Sequence, residues 1–358
     1  MTLILPMHIQ RPCRVCAMLG RRCRRKARSA TDFFSGAGGS SEGLVQAGFD
    51  IWYACNHETE SLRTHLANHP FTEHRPANLS ETDFRTFRRT DVLWASPSCV
   101  WHARSGGRKQ PPIEVELLRQ DEGSIDRATA FAVTQAAEVH RYPVIITENV
   151  PEFMNWGRDD AGNTGVMYRW WLEGLRIQNY RAQILLLDAA VVGDDPVSQR
   201  RKRWFGVFTQ PGIEVDLSLV PSPIKPAVKI LEPDLGKPMT RRLYISPQID
   251  QITERDIPHL VTYRNHARPK RADRHPLATV TAGGNHHAIA TITDKGAFQR
   301  LATEREKARA QGFPDSYVFH GNYDQRRKQI GNAVPVTVAK WLGERVAAAL
   351  GQETPCAA

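Results

Sequence analysis

Three chemical groups stand at the ends of short apolar runs in this chain. Cys99 follows Asp91-Val92-Leu93-Trp94-Ala95, a β-prone run closed by Ser96-Pro97-Ser98. Glu148 and Asn149 end the run that begins at Val144. Gln199-Arg200-Arg201-Lys202-Arg203 leads into the run from Trp204 to Phe208. A thiol at a strand tip can be core filler, a metal ligand or a nucleophile. Open α/β sheets bind ligands outside the carboxyl ends of their strands, so Cys99 and Glu148 are expected to converge on one crevice. Gly36-Ala37-Gly38-Gly39 lies between a strand and a helix, where glycines allow close backbone approach and the helix N-terminus offers N–H groups to an anion. It is not a dinucleotide fingerprint, because Ser41 occupies the position of the last glycine, and the lysine of a P-loop is absent.

The elements that must position these groups alternate. Strands are expected at 31–34, 51–55, 91–95, 144–147, 184–187 and 204–208. Helices are expected near 40–47, 59–68, 127–139, 303–312 and 335–350. Val336, Ala339, Leu342, Val346 and Leu350 share one face of the last helix. Ser80-Glu81-Thr82-Asp83 reads as a capping box opening a further helix before the Asp91 strand. The alternation implies a doubly wound, mostly parallel α/β sheet of Rossmann-like form. After Phe208 prolines multiply and periodicity fades, which points to a separate loop-rich region. The expected division is a basic tail over 1–28, a catalytic and cofactor-binding domain over 29–209, a loop-rich domain over 210–316, a returning segment over 317–351 and a short tail over 352–358.

The chain of 358 residues is 41% hydrophobic, enough for a sizeable core, and no stretch is long and apolar enough for a membrane span. Its arginines follow the first apolar residues instead of preceding them, unlike a signal peptide, so a cytoplasmic protein is expected. The formal charge is +10, and residues 1–28 contribute eight basic side chains and no acid, leaving a body near +2. Local basic clusters on a nearly neutral body suit a protein that grips phosphates at chosen places. Six cysteines in a chain of this length do not make a disulfide framework. Cys13, Cys16 and Cys23, with His8, have an irregular spacing for zinc, and no metal is expected.

In order along the chain, these motifs resemble those of the DNA cytosine-5 methyltransferase family, over about residues 30 to 350. Asp32-Phe33-Phe34-Ser35-Gly36-Ala37-Gly38-Gly39 is similar to its cofactor loop, the Cys99 strand tip to its nucleophile motif, and Glu148-Asn149-Val150 to its Glu-Asn-Val motif. Gln199 to Arg203 matches Gln-x-Arg-x-Arg, Gln311-Gly312-Phe313-Pro314 resembles the segment before the final motif, and Gly331-Asn332-Ala333-Val334 resembles that motif itself. The resemblance implies S-adenosylmethionine as cofactor and double-stranded DNA as partner, with the target base flipped out of the helix. It implies Cys99 as nucleophile, Glu148 as partner of the base, Arg203 as donor to the base oxygen, and Arg201 and Asn149 in support. Phe34, Gly36, Gly38, Gly39, Glu58, Asn78, Pro97, Asn332 and Val334 would hold the cofactor. Arg104, Arg108, Lys109, Gln199, Arg268, Lys270 and Arg271 would meet DNA.

This sequence departs from the family pattern at four places, one of them Val100, where glutamine usually follows the nucleophile. Ser98 stands where proline usually precedes the nucleophile, which removes a fixed dihedral. His57 falls at the usual ribose-binding acid, with Glu58 beside it, and Asn78 replaces the acid that meets the adenine amine. The resemblance leaves a tRNA-methylating relative and a catalytically silent DNA-binding scaffold as alternatives. It also suggests a monomer with a companion restriction endonuclease.

Overall fold

A computed structural model describes residues 28–98, 126–263 and 267–351. Cys99, Arg104, Arg108 and Lys109, and the cysteines of the basic tail, lie outside the described residues. The larger sheet is built from β1 (Arg28–Phe33), β2 (Phe49–Asn56), β3 (Glu73–Pro76), β4 (Val92–Ala95), β5 (Val144–Asn149), β6 (Arg181–Asp188) and β7 (Lys202–Thr209). Its order is β3-β2-β1-β4-β5-β7-β6. β7 is antiparallel to both neighbours, and the remaining pairings are parallel. The sheet is therefore mostly parallel, as expected.

Each central strand is apolar on both faces, so successive residues enter different cores. Phe33, Leu93, Ile145, Trp204 and Phe208 belong to one cluster, covered by α3 (Phe131–His140) and α4 (Val166–Ile177). Ala30, Trp94, Ile146, Phe205 and Val207 belong to the other, covered by α1 (Gly39–Gln46) and α8 (Val336–Ala349). Side chains of this size contribute roughly 1.5–3 kcal/mol each when fully buried. The stripe expected on α8 is the buried one, from Val336 through Val346.

The chain runs outward from β1 through β2 and α2 (Thr59–Asn68) to β3 and then returns to β4 on the other side of β1. That reversal is the topological switch point, and it opens a crevice beyond Phe33 and Ala95. Ser96 N–H donates to the Phe33 carbonyl (3.1 Å), which joins the two loops that leave these strands.

Two parts differ from expectation. Residues 79–86 form two single 3₁₀ turns instead of a helix. Asn78 and Asp83 each capture the N–H two residues on, which favours separate short turns over one continuous helix. The loop-rich region holds a second sheet, entirely antiparallel. Its strands are β8 (Lys237–Pro238), β9 (His259–Thr262), β10 (Lys270–Arg271), β11 (His287–Thr293) and β12 (Gly296–Leu301), in the order β10-β9-β11-β12-β8. Its own small core gathers Ile245, Ile249, Val261, Ala288 and Ala290 around α5 (Ser246–Ile249). Two capped helices, α6 (Glu304–Ala310) and α7 (Tyr323–Asn332), lead back to the first sheet. Among the described residues, no helix is long and apolar enough to cross a membrane.

Candidate active site

The antiparallel pairing of β5 with β7 sets the carboxyl end of one beside the amino end of the other, with Asn149 opposite Trp204. Glu148 and Arg203 therefore meet: Arg203 Nε lies 3.2 Å from Glu148 Oε1, with the two side chains 16% and 9% exposed. Burial pushes the Glu148 carboxyl above its ordinary range, while Arg203 and then Arg201 pull it back. The result is a carboxyl that takes a proton more easily than an exposed one, next to a guanidinium.

Asn149 faces the neighbouring loop. Its Oδ1 accepts from Val150 N–H (2.8 Å), and its Nδ2 donates to the Pro97 carbonyl (3.2 Å). The tip of β5 thus holds the backbone two residues before Cys99. Ser98 N–H donates to Thr129 Oγ1 (3.1 Å), ahead of α3.

Arg201 is buried and ties three carbonyls together. Nη1 donates to Val280 O (2.9 Å), and Nη2 donates to Gly331 O (2.9 Å) and Ala333 O (3.1 Å). Gln199 is fully buried, and its Nε2 donates to Ala310 O and Gln311 Oε1 (both 2.7 Å) while its Oε1 accepts from Val280 N–H (2.9 Å). This corrects the expectation that Gln199 meets DNA: its amide is spent inside the protein. Lys202 is exposed between buried Arg201 and half-buried Arg203, so one period-two pattern sorts the motif into inward and outward residues.

The loop expected to hold the cofactor leaves β1 through left-handed residues: Phe34 at φ 60°, Gly36 at φ 51° and Gly38 at φ 93°. A non-glycine residue in that region is uncommon and clusters at ligand sites. Gly38 caps α1 without a side-chain hydrogen bond. Behind the loop, Asp32 is fully buried and accepts from Ser40 Oγ and Ser41 Oγ (both 2.6 Å). Burial raises its carboxyl to about 6, against the lowering effect of those hydrogen bonds. Gly39 is pressed on the final motif: a Cβ there would lie 2.2 Å from the Val334 carbonyl oxygen. Gly331 is pressed from the other side, and its Cβ would stand 2.3 Å from Ala282 N.

The remaining candidates divide. Glu58 follows β2 and is partly exposed. It accepts from Ser61 Oγ (2.5 Å) and pairs with Lys328 Nζ (3.1 Å). Its carboxyl lies below the usual range, because these partners outweigh the opposing effect of burial. Asn78 is exposed, but its amide is engaged locally with Ser80 N–H and Glu81 Oε1. Asn332 is exposed at the end of α7. Arg268 and Lys270 are exposed on the second lobe, whereas Arg271 is paired with Asp273 (2.6 Å) and close to Glu254 (3.8 Å). Carboxylates at the same guanidinium reduce its capacity to attract phosphate.

Sequence reasoning missed two residues. Tyr317 donates its hydroxyl to Ala37 O (2.6 Å), fastening the glycine loop from the returning segment. Thr129 holds Ser98. Neither carries a motif signal, since both act through contacts distant in sequence. Among the described residues, no group of three or more His, Cys, Asp or Glu is arranged to hold a metal ion.

A family model for C-5 cytosine-specific DNA methylase matches residues 29–348. The type II methyltransferase M.HgiDI of Herpetosiphon aurantiacus is 27% identical over 330 residues, covering 90% of this chain and 94% of that protein. The type II methyltransferase M.AgeI of Thalassovita gelatinovora is 26% identical over 193 residues, covering 52% of this chain but only 40% of that protein. The solved structure of Entamoeba histolytica methyltransferase EhMeth superposes with a TM-score of 0.67 at 14% identity, over 92% of this chain and all of that one, which shows a shared fold.

Proposed function

Because the chain belongs to the C-5 cytosine-specific DNA methylase family, we propose that it moves a methyl group from S-adenosylmethionine to carbon 5 of cytosine in double-stranded DNA, with Cys99 as nucleophile. The observation that carries this reading is the Glu148–Arg203 pair at the strand tips, with Asn149 holding the backbone that leads to Cys99. Carbon 5 of cytosine is a weak nucleophile. Addition of the Cys99 thiolate to carbon 6 breaks the ring double bond and pushes its electron pair toward carbon 5 and nitrogen 3. Glu148, made easier to protonate by burial, donates to nitrogen 3, while Arg203 donates to the base oxygen and steadies the carboxyl. Once carbon 5 has gained its methyl group, a base takes the carbon 5 proton, the double bond re-forms and the thiolate leaves.

The residues around the switch point fit the cofactor. The left-handed loop at 34–38 leads into a helix that lacks a side-chain cap, which suits a carboxylate group. Phe34 adds a partly buried ring, and Glu58 adds a partly exposed carboxylate for a ribose diol. When bound, S-adenosylmethionine supplies an electrophilic methyl group on a sulfonium. Pro97, Asn332 and Val334 complete the surroundings from the neighbouring loops, and Asn78 is better suited to shaping its turn than to reading adenine.

The target base must leave the stack to reach these groups. The lobe containing the second sheet is the proposed target-recognition domain, with Arg268 and Lys270 at phosphates. Arg104, Arg108 and Lys109, near Cys99 in sequence, are proposed phosphate contacts on the catalytic side. The likeness to a type II methyltransferase supports a role in protecting DNA from a companion endonuclease. The test is transfer of a labelled methyl group to duplex DNA and to tRNA, side by side. Label as 5-methylcytosine in DNA alone is expected. Label in tRNA alone would reassign the substrate, and label in neither, with DNA still bound, would mean a silent scaffold.

A further inference from the structure

In sequences that this chain resembles, a proline before the nucleophile restrains the loop in two ways. It fixes φ, and it leaves no backbone N–H to satisfy. Ser98 removes both restraints and adds a donor in a largely buried crevice. That donor has a dedicated partner. Ser98 N–H donates to Thr129 Oγ1 at 3.1 Å, and the same hydroxyl donates to Asp126 O at 2.6 Å, which turns its lone pairs toward Ser98. The turn bearing Thr129 is itself fastened to the core, because fully buried Trp171 donates its Nε1–H to Ala130 O at 2.8 Å.

The peptide unit between Pro97 and Ser98 is therefore gripped at both polar atoms. Asn149 Nδ2 holds its carbonyl oxygen, and Thr129 holds its N–H. A peptide group tied at both ends cannot rotate without breaking one of these bonds. Cys99 is the next residue in the chain.

We propose that Thr129 is a positioning residue for the nucleophile, its hydroxyl doing by hydrogen bonding what the proline ring does by covalent restraint. The proposal rests on the reading of Cys99 as nucleophile. Its test is the single-turnover rate of covalent adduct formation on duplex DNA carrying 5-fluorocytosine. The proteins compared are wild type, T129S, T129V, S98P and the double variant S98P/T129V. T129V is expected to form adduct about 10- to 100-fold more slowly, the cost of a small misplacement of a reacting group. Its affinity for S-adenosylmethionine is expected to be unchanged, and T129S is expected to behave as wild type. The double variant is expected to recover most of the rate, because proline needs no hydroxyl partner. A wild-type rate in T129V overturns the proposal. So does a slow T129V that S98P does not rescue, since the hydroxyl would then serve only its own turn. Should T129V fail to fold, S98P alone decides: near-wild-type rate supports the proposal, and an inactive S98P overturns it. Absence of adduct in the wild type removes the Cys99 reading itself, and this inference with it.

Discussion

Glu148 Oε1 and Arg203 Nε stand 3.2 Å apart across the β5–β7 pairing, nearly closed off from solvent. The carboxyl is pushed up by burial and pulled down by Arg203 and Arg201. Removal of Arg203 should therefore raise it further. The proposed step uses protonated Glu148, so the rate of adduct formation should fall as pH rises through the Glu148 titration. In Arg203→Ala that limb should move to higher pH, even though the absolute rate drops by about 10²-fold or more. A pH–rate profile of both proteins checks this, and a limb that stays in place or moves down contradicts it.

Glu148→Gln keeps the shape of the side chain but cannot exchange a proton with nitrogen 3. Its adduct rate should fall by about 10²–10⁴-fold, the usual range for a lost proton-transfer group. DNA binding, measured by anisotropy, should hold within a fewfold. Loss of DNA binding in parallel with the rate would assign Glu148 a structural role.

Gly39 bears on the Val334 carbonyl so closely that any Cβ forces backbone against backbone. Gly39→Ala should weaken S-adenosylmethionine binding at least tenfold by calorimetry and cost about 1–3 kcal/mol of stability, as overpacking usually does. Unchanged affinity would detach this loop from the cofactor.

Gln199 bolts the β7 approach to the Ala310–Gln311 turn and to Val280. Gln199→Leu should cost about 1–3 kcal/mol, because buried backbone and side-chain partners lose their hydrogen bonds. DNA affinity at fixed salt should hold within a fewfold, since no contact to DNA is lost. A large loss of affinity with unchanged stability would restore the residue to the DNA interface.

Asp32 carries a pH signature of its own. Its carboxyl is raised to about 6, so between its ordinary 3.8 and that value the folded protein holds a proton that the unfolded chain releases. Stability drawn from the neutral form is complete below the lower value and is lost as pH rises through the upper one. Relative to Asp32→Asn, the wild type should therefore lose on the order of 2–3 kcal/mol between pH 4 and pH 7, one pKa unit being about 1.4 kcal/mol. Urea midpoints of both proteins across that range check the sign. A wild type that gains on the variant as pH rises would mean a carboxylate stabilised by its serines.

Much of the larger sheet was legible because its strands are apolar on both faces and its helices carry one-sided stripes, as at Val336 to Val346. The positions of Glu148 and of the glycine loop followed from where those strands end, whereas Arg201 was marked only by the resemblance of Gln199 to Arg203 to a family motif. The second sheet was not legible. Its strands are two to seven residues long and draw their stability from pairing across distant segments, which local pattern does not record. The helix expected after Ser80 failed because two Asx side chains competed for the same backbone donors. Gln199 misled because a polar residue in a charged run looks solvated. The alternation of Gln199, Arg201 and Arg203 with exposed Lys202 was the available sign that the motif has an inward face. Thr129 and Tyr317 act through long-range hydrogen bonds, and no sequence spacing announces those.

The central claim is that Cys99 bonds to the base. Incubation of the wild type with S-adenosylmethionine and duplex DNA carrying 5-fluorocytosine blocks the final proton loss, so the adduct should persist on a denaturing gel as a shifted band. The account predicts that band for the wild type and none for Cys99→Ala. A band of equal strength in the variant, or none in a wild type that still binds DNA, would contradict it.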